Sequence, residues 1–204
     1  MHQRFQEWVA AGVFRQLWTL GLLELHVEGR LDWSFQSLDG CQTKAPLGGE
    51  AVGPTPTDRG KGGVKRQLLT EAQGLPVGVA VTGANVHDVT QVEAVLTSMP
   101  VLPPPVTQAC PQGFCADKGY DSRRVRALIV KYFYTDHIKS RGEEAAVCNT
   151  PGYRARRRVV GRTHSWFNRY RRLLIRWEKK VASYEALLHL ACANTVWSRS
   201  LLFG

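Results

Sequence analysis

Two short strings place carboxylates where a strand gives way to a loop: SLDG, which holds Asp39, and CADKGY, which holds Asp117. Strand-end carboxylates can converge on one edge of a sheet. Two or three such oxygen ligands suit Mg2+, which keeps several waters and completes its shell with substrate phosphates. Each aspartate also has an ordinary structural reading, since Asp-Gly after a strand is a turn signal and Asp before a helix is a cap. The charge of the whole chain bears on the choice. Lys and Arg total 27 against 17 acidic residues among 204, and a net charge of +10 calls for a polyanionic partner, nucleic acid first and an anionic membrane surface second. Cation-holding carboxylates on a basic protein point to phosphodiester chemistry.

The elements around these acids read as a mixed α/β chain. Residues 4–25 repeat Phe5, Trp8, Val9, Val13, Leu17 and Leu20 at helical spacing, with glycines as breaks, and predict one or two packing helices. LDWSFQSLDG predicts a strand that ends at Asp39 and Gly40. A long Gly/Pro-rich loop follows over residues 45–63, carrying Asp58, Arg59 and Lys61. Residues 64–83 predict a hairpin joined at Gln73 and Gly74, with Val77, Val79 and Val81 alternating on one face. Asp88, with Gln91 three residues on, predicts the N-cap of a helix through Val92, Val95 and Leu96. GFCADKGY predicts a strand ending at Asp117, Asp121 predicts a cap for the helix through RRVRALIVKY, and FYTDHIK predicts a further short strand.

The last third of the chain is basic. From Val159 apolar residues recur at Val160, Trp166, Phe167, Tyr170, Leu173, Leu174 and Trp177, predicting one amphipathic helix, and YEALLHLACANTVW predicts a final apolar one. Gly161 lies near the start of the basic helix, where glycine costs about 1 kcal/mol relative to alanine. At 100° per residue it shares a face with Ser165, Asn168, Arg172 and Arg176, opposite Phe167, Tyr170 and Trp177. Residues 151–180 hold eleven Lys and Arg against Glu178 alone, a face that would repel itself without a polyanion. The candidate DNA contacts are therefore Lys61, Lys65, Arg66, Arg156, Arg157, Arg162, His164, Arg169, Arg172 and Arg176. His87 orders the loop before its helix and is assigned no catalytic role.

Cys41, Cys110, Cys115, Cys148 and Cys192 are odd in number and show neither a C-x-x-C pair nor zinc spacing, so they read as reduced and structural. No basic segment followed by an apolar signal core opens the chain, and no apolar run reaches the ~18 residues of a membrane span. The expected compartment is a reducing cytoplasm, and no membrane partner is expected.

In order and spacing, SLDGCQTKAPLGGEAVGPTPTDRGKGGVKRQLLTEAQGLPVGVAVTGANVHD, CADKGYDS, HIKSRGEE, RTHSWFNRYRRLLIRWEKK and YEALLHLACA resemble the transposases of the insertion-sequence five family. The resemblance covers nearly the whole chain. It implies a ribonuclease H-like mixed sheet flanked by helices, in which two aspartates and a glutamate hold Mg2+, or Mn2+, for DNA cleavage and strand transfer. It further implies double-stranded DNA as partner, both transposon ends and target, a homodimer on that DNA, and association with the bacterial nucleoid. The first aspartate corresponds to Asp39 and the second to Asp117. The glutamate falls in a string that the family writes VVERTHSW and this chain writes VVGRTHSW, so Gly161 stands where the family has its third acid.

Arg158, three residues earlier, replaces an aromatic residue common in the family. Glu178 is no substitute on one continuous helix, because 17 residues at 1.5 Å each place it roughly 25 Å from Gly161; Glu143 and Glu144 precede the helix on a loop. The resemblance thus implies a transposase impaired in cleavage, the alternative being a non-enzymatic DNA-binding remnant that represses related elements. It also divides the chain into an N-terminal helical segment, residues 1–30, as the remnant of a DNA-binding region, and a catalytic domain, residues 31–204.

Overall fold

The computed structural model describes residues 2–139 and 155–203. Two helices open the chain, α1 (His2–Ala10) and α2 (Val13–Val27). They part at Gly12, whose φ of +67° suits glycine and stops helix propagation. Trp18, Leu22 and Leu25 of α2 are wholly buried, and at about 2 kcal/mol for each such side chain they fix α2 to the interior. Their main partner is the last helix, α7 (Val181–Phe203), which supplies Tyr184, Leu188, Cys192 and Val196 to the same core.

Between these helices lies a six-stranded mixed sheet: β1 (Phe35–Lys44), β2 (Gly53–Pro54), β3 (Gly62–Thr70), β4 (Pro76–Gly83), β5 (Gly113–Cys115) and β6 (Thr135–Asp136). β1 is central. On one side it pairs antiparallel with β3, which forms the predicted hairpin with β4 and takes β2 at its first residues. On the other side β1 pairs parallel with β5, and β5 with β6. Connections through α3 (Val92–Thr97) and α4 (Arg123–Lys131) supply these parallel strands, and α5 (Arg158–Phe167) and α6 (Arg171–Leu174) are the helices among the described residues between β6 and α7. A mixed sheet with helices on its faces is the architecture expected of a ribonuclease H-like core.

Several local expectations are corrected. β1 does not end at Asp39 and Gly40; it continues to Lys44, because β3 provides antiparallel partners as far as Lys44↔Gly63. Asp88 caps nothing. It opens a 3-10 turn (Asp88–Gln91), and its carboxylate is taken by Lys65 and Gln67. Ser122, not Asp121, caps α4 through its hydroxyl, which accepts from Val125 N at 3.2 Å; Asp121 instead pairs with Arg126.

The basic helix is not continuous to Trp177. α5 stops at Phe167, Tyr170 turns the chain at ψ 109°, and after α6 the backbone is extended at Ile175. Tertiary packing overrides the periodicity here: Phe167 and Leu173 each reach the core from a separate short helix, and Arg66 reaches into the break to bond Leu173 O and Asn168.

Candidate active site

Strand register places the two aspartates. The last β1–β5 pair is Ser37↔Cys115, and Asp39 and Asp117 each lie two residues beyond it. β5 ends at Cys115, short of the expected Asp117, so Asp39 lies on β1 and Asp117 at the matching offset in the chain just past β5, where the side of β1 facing it is unpaired. The carboxyl end of parallel strands is where open α/β sheets bind ligands. Asp39 Oδ1 accepts Gly40 N at 2.8 Å, and Asp117 Oδ1 accepts Gly119 N at 2.7 Å as the cap of a 3-10 turn (Lys118–Tyr120).

The Asp39 carboxyl is raised from 3.8 to about 6. Burial is the main cause; Asp117 and Asp88 add repulsion, while the Gly40 N–H and Arg157 act against it. Asp39 and Asp117 thus feel one another, in keeping with their register. A divalent cation would relieve this repulsion, and the carboxylate donor set suits Mg2+ or Mn2+. Two acids give only part of a shell, and among the described residues no group of three His, Cys, Asp or Glu is arranged to hold a metal ion.

Asp88 borders the site through a buried network that the sequence reading missed. Lys65 Nζ donates to Val86 O at 3.0 Å and to the Asp88 carboxylate at 3.2 Å. Gln67 Nε2 donates to Asp88 Oδ1, and Gln67 Oε1 accepts the Tyr120 hydroxyl at 3.0 Å. The network ties the turn after Asp117 to β3. It also fills the space above Gly40, where an added Cβ would stand 2.8 Å from Asp88 Oδ1. The i, i+2 spacing of Lys65 and Gln67 on one strand face was the available signal.

Helix α5 covers the opposite side of Asp39. His164 Nε2 donates to Asp39 O at 3.2 Å, and Asn168 Oδ1 accepts Arg66 Nη2. Arg157 acts electrostatically on Asp39. Arg157, Gly161, His164 and Asn168, spaced four, three and four apart, form one stripe of the helix. Gly161 lies within a stripe whose other members reach β1, β3 or the Asp39 charge. An added Cβ at Gly161 would meet nothing within 4 Å, so the position has room for a side chain.

The ten candidate DNA contacts separate by burial. Lys65, Arg66, His164 and Arg176 are buried and are corrected from surface contacts to internal ones. Arg66 Nη1 donates to Leu173 O at 3.1 Å, and Arg176 donates to Glu178 O and Lys179 O while lying over the Tyr184 ring. Burial, with Arg66 adding to it, pulls the His164 imidazole down to about 4, so it is neutral at pH 7 and is no cation for phosphate.

Lys61, Arg156, Arg157, Arg162, Arg169 and Arg172 are exposed. Arg156 lies over Phe35 beside His137, Arg162 lies over Trp166, and Arg172 pairs with Glu178 at 3.0 Å. Arg172 and Arg176 follow the break after α5, so they do not share its face with Gly161. Glu178 lies past that break too and is engaged elsewhere. Glu143, Glu144 and Cys148 lie outside the described residues; the other four cysteines are free thiols. Among the described residues no helix is long and apolar enough to cross a membrane.

Residues 32–195 match the family described as the transposase DDE domain, a span that includes Asp39, Asp117 and Gly161. A protein of Burkholderia cepacia named "Putative transposase for insertion sequence element IS402" is 35% identical over 156 residues, covering 72% of this chain and 69% of that protein. With most of its length matched in both comparisons, the chain belongs to the transposase DDE domain family.

Proposed function

We propose that this protein acts on double-stranded DNA as the transposase of an insertion sequence, with Asp39 and Asp117 as the acids that hold Mg2+ or Mn2+ and Gly161 at the vacated position of a third. The observation that carries this reading is the matching offset of Asp39 on β1 and Asp117 just past β5, with mutual repulsion that a cation would relieve. When bound, the divalent cation would stabilise charge on the attacking and leaving phosphodiester oxygens.

The chain's own residues prepare that site. Gly40 N and Gly119 N each hold one carboxylate oxygen, leaving the acids oriented by their own backbone. His164, neutral, fixes the Asp39 peptide against α5, and the Asp88–Gln67–Tyr120 network holds the turn after Asp117. In the intact reaction a water loses a proton and its oxygen bonds to phosphorus as the 3′ oxygen leaves and is protonated; the 3′-hydroxyl so produced then bonds, with loss of its proton, to a phosphorus of the target, whose own 3′ oxygen leaves as a hydroxyl. Lys61, Arg156, Arg157, Arg162, Arg169 and Arg172 offset the backbone charge of both DNAs. Residues 31–204 carry this chemistry, residues 1–30 belong to a DNA-binding region packed onto the same core, and the working form is a homodimer on DNA at the cytoplasmic nucleoid.

Gly161 also favours a second reading, a DNA-binding protein that does not cut and represses related elements. Supercoiled plasmid incubated with Mg2+ or Mn2+ separates the two. Gly161→Glu should nick it, the unaltered chain should nick it far more slowly, and Asp39→Ala added to Gly161→Glu should abolish nicking. Equal, negligible nicking by all three supports the non-cutting reading.

A further inference from the structure

A second concave site lies on the other flank of α5. Arg162 and Trp166 of α5, four residues apart, and Arg169 and Tyr170 from the turn that follows it face Asn194 and Arg199 of α7 across a cleft of about 840 Å3. That volume is in the range of pockets that hold a single small ligand. Among the described residues no acidic side chain lines it. Arg162 and Arg199 are both anchored on Gln73, the first to its backbone oxygen and the second to its side-chain oxygen at 2.9 Å, so two guanidinium groups are fixed on one wall. Arg169 adds a third, exposed cation.

We infer that this cleft binds an unpaired segment of DNA. Three arginines match a phosphodiester backbone, and two aromatic side chains among them match exposed base faces. The amide of Asn194 adds hydrogen-bonding capacity for base edges. A duplex stacks its bases inside and offers such a wall only phosphates, so the aromatic residues favour a single strand. Phosphate contact alone would not need Trp166 or Tyr170. The inference rests on the proposed function only in taking DNA as the partner; it does not depend on the acids or on Gly161.

The test uses the full chain in EDTA, with a fluorescent ten-nucleotide oligo(dT) strand and a duplex of equal length, read by anisotropy. Trp166→Ala should weaken oligo(dT) binding at least about fivefold, with duplex affinity changed less than about twofold. Trp166→Phe keeps an aromatic face and should retain most of the affinity, guarding against a fold defect in the alanine variant. Unchanged oligo(dT) binding in Trp166→Ala overturns the inference. So does a parallel loss for strand and duplex, which would make the cleft part of a general duplex surface. Because no metal is present, failure of Gly161→Glu to nick DNA leaves this result standing, and the reverse also holds.

Discussion

Asp39 on β1 and Asp117 just past the end of β5 each lie two residues beyond the Ser37–Cys115 pair, and the charge of Asp117 raises the proton affinity of the partly buried Asp39 carboxyl. Such a pair strains the metal-free fold. With its folded value raised from 3.8 to about 6, Asp39 binds protons more tightly folded than unfolded, so it opposes stability above pH 6 and ceases to do so as pH falls through 6 toward 3.8. Asp39→Asn, which can still accept from Gly40 N, should therefore stabilise the metal-free protein at pH 7 by about 1–3 kcal/mol. Urea unfolding at several pH values checks this: the advantage should shrink to near zero by pH 4, and a destabilised variant at pH 7 would contradict it.

One buried and one half-buried histidine, His164 and His189, give the opposite slope. His164 and His189 are both pulled down to about 4 by burial, with Arg66 beside the first and Arg15 beside the second. Their folded values lie below the usual 6.5, so their contribution is fully present above pH 6.5 and is lost as pH falls from 6.5 to about 4. His189 stacks on Trp18 at 5.6 Å, and His189→Phe keeps a ring there without a titrating group. That variant should lose less stability than the unaltered protein between pH 6.5 and 4; parallel pH curves would show that His189 does not titrate as described.

The basic residues divide between folding and binding. Arg66→Ala and Arg176→Ala remove buried donors to backbone carbonyls and should each destabilise the fold by about 2 kcal/mol or more. Arg157→Ala and Arg169→Ala lie on the exposed side and should leave stability within about 0.5 kcal/mol. Each should instead flatten the plot of log DNA affinity against log salt by about 0.9. Thermal melts and anisotropy at several salt concentrations separate the two groups.

Much of this was legible in the residues, and the failures have physical causes. The β3–β4 hairpin, the short β5 and the final apolar helix follow from alternation and turn residues, because local pattern and tertiary packing agree there. Asp39 and Asp117 could be paired from the longer strings, but their matching offset depends on β1–β5 register, which no local pattern encodes. The burial of Arg66 and Arg176 was hidden because arginine reads as surface unless partners are known, and theirs are carbonyls distant in sequence or around a chain turn. The break after Phe167 was hidden for the same reason: apolar spacing continues across it, while Arg66 and the core decide where the backbone turns. Asp88 looked like a cap because its partners Lys65 and Gln67 lie on another strand.

The central claim is that Gly161 occupies the place of a third metal-holding acid, and the most direct measurement is the Mg2+-dependent change in melting temperature of Gly161→Glu against Gly161→Ala. An added Cβ at this position meets nothing within 4 Å, so alanine enters without a clash and glutamate starts in open space. Without metal, alanine should gain about 1 kcal/mol from removing glycine from a helix, and glutamate somewhat less because of repulsion from Asp39 and Asp117. With Mg2+ at a hundred times its dissociation constant, Gly161→Glu should gain about 2.7 kcal/mol, roughly 5–10 °C, whereas Gly161→Ala should respond no more than the unaltered chain. Equal Mg2+ responses in the glutamate and alanine variants would contradict the account and remove Gly161 from the site.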